Sequence, residues 1–139
     1  MNSPFKNDLS FIFIVIIFFI FTSKIYSQNI TINEIMTSNS ASLADEDGSF
    51  EDWIEVYNYG TTSISLSGYG LSDEVDIPFK WVFPSVTVPA KGYLLIWASD
   101  KNKIVANQPL HSNFKLKSGG EAVFSTKPGG TLVSEVPAV

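Results

Sequence analysis

A chain of 139 residues has room for one domain at the usual ~100 to 200 residues each, which excludes an enzyme assembled from two. Nine basic residues, every one a lysine, stand against fourteen acids, and the net charge of −5 opposes a nucleic-acid backbone. There is no cysteine, so neither disulfides nor a lipidated cysteine is available, and stability has to come from burial.

The chain opens with Lys6, an apolar stretch over residues 9–21, a polar break at Thr22, Ser23 and Lys24, and then Ile25-Tyr26-Ser27-Gln28. That order is the order of a secretory signal peptide. The apolar stretch is short for a transmembrane anchor, since a helix needs ~20 residues to cross a hydrocarbon core. Cleavage is expected after Ser27, which leaves residues 28–139 as an exported domain with no membrane span. An exported domain without cysteine suits a bacterial envelope better than an animal secretion, where small domains are disulfide-dense.

From residue 30 onward no window places apolar residues at helical spacing. Short β-branched and aromatic segments alternate instead with Gly, Pro, Ser, Asn and Asp, so the sequence predicts an all-β domain. Strands are expected at 30–36, 53–59, 64–66, 70–72, 81–83, 92–98, 114–116, 121–125 and 131–136. In the first, Ile30, Ile32 and Met36 interleave with Thr31 and Asn33 as in a half-buried strand. Pro89-Ala90-Lys91-Gly92 turns the chain into Tyr93-Leu94-Leu95-Ile96-Trp97-Ala98, an apolar run that implies a central strand or burial on both faces. Pro128-Gly129-Gly130 predicts a hairpin between the last two strands. Spacing of this kind indicates a sandwich or a barrel.

Several segments, taken in order, resemble the lamin tail domain in its bacterial secreted form. They are Ile32-Asn33-Glu34-Ile35, Asp52-Trp53-Ile54-Glu55-Val56-Tyr57-Asn58, Leu66-Ser67-Gly68-Tyr69 with Leu71-Ser72-Asp73, and Trp81-Val82-Phe83-Pro84. Val88-Pro89-Ala90-Lys91-Gly92-Tyr93-Leu94 follows, running into Ile96-Trp97-Ala98-Ser99, and then Leu110-His111-Ser112-Asn113-Phe114-Lys115-Leu116 and Gly120-Glu121-Ala122-Val123. The resemblance spans about residues 30–136. It implies an immunoglobulin-like antiparallel β-sandwich and a binding or tethering module without catalysis, of the kind found in exported proteins beside nucleases and hydrolases. An accessory domain of a larger secreted hydrolase or nuclease is therefore the alternative expectation, and a nucleic-acid-binding domain a third, disfavoured by charge.

The densest polar feature is the acidic run Asp45, Glu46, Asp47, Glu51, Asp52 and Glu55. Carboxylates on a loop suit Ca²⁺, yet the EF-hand spacing fails: counted from Asp45, Gly48 is fourth rather than sixth and position twelve is Val56. A solvated acidic loop is the better expectation, with Asp45, Asp47 and Glu51 as ion contacts if a cation binds; no cofactor is otherwise called for. Aromatic rings stack on sugars. Trp53, Trp81 and Trp97 are expected in the core, while Tyr59 and Tyr69, beside glycine turns, are expected to be exposed and free to meet a glycan. The partner expected is accordingly a protein or a cell-surface glycan. No catalytic constellation is legible: His111 is the single imidazole and is expected as a loop hydrogen-bonder, and neither a Gly-x-Ser-x-Gly elbow nor a His-Glu-x-x-His helix occurs. Glu34 and Glu55 are expected near strand ends.

Overall fold

The computed structural model describes residues 29–138, so the segment expected to be a signal peptide lies outside the described residues. Within them the chain forms β1 (Ile30–Met36), β2 (Asp52–Asn58), β3 (Ile64–Ser65), β4 (Gly70–Ser72), β5 (Trp81–Val82), β6 (Thr87–Val88), β7 (Tyr93–Ala98), β8 (Leu110–His111), β9 (Val123–Thr126) and β10 (Leu132–Val136). Among the described residues none is helical, and no helix is long and apolar enough to cross a membrane.

The strands make two four-stranded sheets, ordered β1-β2-β7-β8 and β10-β9-β4-β5, and a two-stranded sheet β3-β6. This is an all-β architecture consistent with an immunoglobulin-like sandwich. One core joins the sheets: Ile30, Ile32, Ile54, Val56 and Ile96 from the first pack with Leu71, Trp81 and Val123 from the second. Full burial of each large aliphatic side chain contributes ~1.5–3 kcal/mol, and this is the main source of stability in a domain without cross-links.

Two details depart from the expected pattern, each for a local reason. The sheets are not wholly antiparallel, because β8 runs parallel to β7 with Leu110 beside Ile96 and His111 beside Trp97. The chain leaves β7 at its end, doubles back through residues 99–109, and re-enters the sheet in the same direction. In β1 the register slips between Ile32 and Glu34. Asn33 is the extra residue of this bulge, so the alternation changes phase: Ile35 turns to the core opposite Ile54, and Met36, expected on the face of Ile30 and Ile32, turns outward opposite Trp53.

Residues 114–116 are not a strand. Phe114 and Leu116 are buried on either side of exposed Lys115, which imitates strand alternation, but the backbone there makes a single bridge from Lys115 to Ser99. The strands missed in the sequence, β6 and β8, have two residues each, too few for a period to show. The predicted hairpin forms as β9–β10, with Gly129 and Gly130 at φ 95° and 90°. The Pro89 turn closes through Gly92 N–H to Pro89 O at 3.0 Å.

The sheets are stitched at their edges. The Ser134 hydroxyl of β10 accepts the Ile32 N–H of β1 at 2.9 Å and lies 3.0 Å from the Thr31 hydroxyl, so two strand edges are occupied by each other. At β4, a Cβ on Gly70 would stand 2.2 Å from the Pro78 carbonyl oxygen and 2.8 Å from the Phe79 ring. Gly70→Ala is therefore expected to destabilise the domain by ~1–3 kcal/mol through forced displacement of the β4–β5 connection, read as a lower denaturation midpoint; an unchanged midpoint would refute the close approach.

Candidate functional site

Four side chains form one row across the first sheet on the side away from the core. Met36 pairs with Trp53, Trp53 with Trp97, and Trp97 with His111. Trp53 is 9% exposed, Trp97 6% and His111 fully buried. Burial on the outer face needs a second cover, and at the His111 end the segment 37–51 supplies it: Glu46 meets His111 Nε2 with both carboxylate oxygens, at 2.9 and 3.0 Å. Ser99 Oγ is hydrogen-bonded to the other ring nitrogen, Nδ1, at 2.7 Å.

Segment 37–51 is shaped by two short polar side chains that bond the backbone close by in sequence, as Asn and Asp do in turns. Asn39 donates from Nδ2 to the carbonyls of Leu43 and Glu51 at 2.6 and 2.8 Å, and its own N–H donates to Asp52 Oδ1 at 2.9 Å. Asp45 Oδ1 accepts the N–H groups of Asp47 at 3.0 Å and Ser49 at 2.8 Å. The carboxylates then meet lysines from the β7–β8 connection. Lys101 bonds Asp45 and, at 3.0 Å, Asp47; Lys103 bonds Glu46 at 2.6 Å and Asp47 at 2.8 Å. That connection holds Asp100, Asn102 and Asn107 at φ 64°, 49° and 62°, residue types that enter the left-handed region more readily than most.

The charges move one another's protonation. The Lys103 bond, seconded by Lys101, holds the exposed Asp47 carboxyl at about 2. Burial pushes Asp45 upward, but the Lys101 bond and the N–H groups of Ser49 and Asp47 together bring it below its ordinary value. Lys103 is the main cause of a lowered Glu46. Lys101 is raised chiefly by its bond to Asp45, and Lys103 by its bond to Asp47. For carboxyls lowered on folding, the stabilisation is complete above their unfolded values, near 4, and is lost as pH falls through the folded ones, down to about 2. For the raised lysines it is complete below about 10.4 and lost above. The melting temperature is thus expected to fall between pH 4 and 2, and Lys101→Met should flatten that fall; an equally steep fall in the variant would remove Lys101 from the linkage.

A lamin tail domain model matches residues 24–139. The chain belongs to the lamin tail domain family. No curated protein matches it.

In this lamin tail domain the acidic residues singled out in the sequence do not act together. Asp45 converges with Glu46 and His111, and Asp47 shares Lys101 and Lys103 with these acids, whereas Glu51 faces Lys115 at 3.5 Å, Asp52 holds the Asn39 N–H, and Glu55 accepts Asn33 Nδ2 at 2.8 Å. The loop is solvated along most of its length, with Glu46 and Asp47 among its exposed residues, but the Asp45 side chain is completely buried. Tyr59 is exposed, as its glycine neighbour suggests, but Tyr69 packs half-buried against the core. Trp81 fills the core, while Trp53 and Trp97 are buried on the outer row instead. His111 is a hydrogen-bonder as expected, but it bonds from strand β8 and not from a loop.

Ser99, Lys101, Lys103 and the pairing of Glu46 with His111 carry no signature in the sequence, because three separate segments bring them together. A Ser–His–Glu string through a buried imidazole suggests a nucleophile, but the order is reversed. In a hydrolytic triad the serine sits on Nε2 and the acid on Nδ1; here the serine holds Nδ1, and the carboxylate closes the other side. The arrangement suits a clasp that fixes the acidic segment to β7 and β8. Beside it lies an open groove of about 380 Å³ bordered by Glu46, Lys103, Ile104 and Val105.

Proposed function

We propose that this lamin tail domain is an exported, non-catalytic binding or tethering module that works at the bacterial cell envelope or outside it, through the loops at one end of the sandwich. The observation that supports this reading is the set of apolar side chains those loops hold in solvent. Val75, Ile77 and Phe79 are exposed on the β4–β5 connection, and Ile104 and Val105 on the β7–β8 connection. Both connections are anchored to the same segment: Asn113 Nδ2 donates to Lys80 O at 2.7 Å, and Asn102 N–H to Ser112 O at 3.1 Å. Lys80 also pairs with Asp73 at 2.8 Å and lies over the Phe114 ring at 5.5 Å. Apolar groups presented on ordered loops mark interaction surfaces, and ordering before contact reduces the entropy lost on binding.

The sheet edges offer less, because β1 and β10 are tied through Ser134 and β5 and β8 are two residues long. The lysines lend no support to a nucleic-acid surface, as Lys80, Lys101, Lys103, Lys115 and Lys117 all face carboxylates. Export is supported by the N-terminal order of charge, apolar stretch and polar break. The test is retention on an isolated envelope fraction carrying both surface protein and glycan. Wild type should be retained, and Ile77→Asp combined with Val105→Asp should weaken retention at least ~tenfold with melting unchanged, the loss of two apolar contacts from the interface centre. Equal retention of the two proteins would overturn the assignment of these loops.

A further inference from the structure

The clasp has the composition of a metal centre. Asp45, Glu46 and His111 each bring one ligand atom to within 4.8 Å of the others. We propose that this cluster binds a single divalent transition ion of the Zn²⁺ type, which fixes the acidic segment to the β7–β8 edge.

The imidazole is what separates this cluster from an acidic patch and selects the ion. A nitrogen donor with two carboxylates suits Zn²⁺, whereas Ca²⁺ takes oxygen ligands almost alone. The ring is already oriented as a ligand: it is fully buried, Ser99 Oγ holds Nδ1 at 2.7 Å, and Nε2 is the atom turned to the Glu46 carboxylate. A hydrogen bond on the second ring nitrogen is the usual support of a metal-bound histidine. The ion would replace the direct contact between Nε2 and Glu46.

The lysines now neutralising these carboxylates have somewhere else to go. Lys101 and Lys103 each have a second partner, Asp47. When the ion takes Asp45 and Glu46, both ammonium groups keep Asp47, and neither is left without an anion. Glu46 and Lys103 also border the open groove, which gives the ion a route in and leaves room for a water to complete its coordination.

The experiment titrates the purified full chain, first stripped with a chelator, with Zn²⁺, and in parallel with Co²⁺ and Ca²⁺. Saturable one-to-one Zn²⁺ binding that raises the melting temperature is expected, as is visible Co²⁺ absorption of a four-coordinate ion that Zn²⁺ displaces. Glu46→Gln should weaken the affinity at least ~tenfold, and Ser99→Ala ~10–100-fold as the loss of a ligand's orienting bond. Lys103→Ala separates a metal site from a purely structural clasp, because removing a competing cation should tighten Zn²⁺ binding although an ion pair is lost. His111→Ala removes a wholly buried ring and can fail to fold, so the half-exposed Glu46 carries the decisive substitution. Absence of one-to-one binding, an affinity indifferent to Glu46→Gln, or an equal thermal shift with Ca²⁺ would each overturn the proposal.

Discussion

Asn58→Ala is expected to lower the stability of the domain by ~3–5 kcal/mol, a large part of what a domain of this size has. Asn58 ends β2 and is completely buried. Its Nδ2 donates to the carbonyls of Thr62, Val88 and Pro89 at 2.8, 3.1 and 3.0 Å, and its Oδ1 accepts the Gly60 N–H at 2.9 Å. One amide thus satisfies three acceptors and a donor where the chain leaves β2 and where β6 ends, at the end of the sandwich away from His111. Alanine strands all four, and each buried unsatisfied group costs ~1–3 kcal/mol, reduced where water enters the cavity.

Asn58→Asp is the sharper control. It preserves the shape and the acceptor for Gly60 but turns an anion towards three carbonyl oxygens, so it should destabilise at least as much as alanine. Urea denaturation with an unchanged slope would measure both. An aspartate variant as stable as wild type would mean that the amide does not organise this end of the fold.

What was legible in the sequence depends on how far each feature reaches. The alternation of Ile54 and Val56 with Trp53 and Glu55, and the apolar run 93–98, locate the two central strands of the first sheet within a residue at each end. The glycines at 129 and 130 locate the last hairpin, because their backbone angles are a local property. The Asn33 bulge is invisible, since an extra residue shows only against a partner strand, and its effect is to exchange Ile35 and Met36 between faces. The apolar run 93–98 implied a central strand or burial on both faces; β7 is central, between β2 and β8, and its second half is also buried on both faces, whereas Tyr93 is exposed and stacks on Tyr57 at 4.5 Å between ring centroids, and Trp97 lies beside His111, which the acidic segment caps at Glu46. The candidate site was half legible. The run from Asp45 to Asp47 stands out by charge, but its partners Ser99, Lys101, Lys103 and His111 arrive through a parallel strand pairing that no spacing rule anticipates.

Asp45→Ala is the second large effect expected, at ~3 kcal/mol. Its carboxylate is buried, accepts two backbone N–H groups and pairs with Lys101. Removing one partner of a buried ion pair costs ~3–5 kcal/mol because the other is left uncompensated. Lys101 is partly exposed and keeps Asp47, which places the effect at the lower end of that range, while the two freed N–H groups hold it there. Asp47→Ala is the matched comparison, removing the same charge from the other partner of Lys101. Asp47 is exposed and organises no backbone, so its loss should cost a small fraction as much, as for other surface ion pairs. The two variants should also differ in tryptophan fluorescence. Asp45→Ala releases the turn that presents Glu46 to His111, admits water to Trp97 and shifts its emission to the red; Asp47→Ala leaves the turn, and hence the emission, in place. Equal destabilisation and unshifted emission in both would mean that the acidic segment is held by net charge alone, and the clasp through Glu46 and His111 would then have no part in closing the outer face of the sheet.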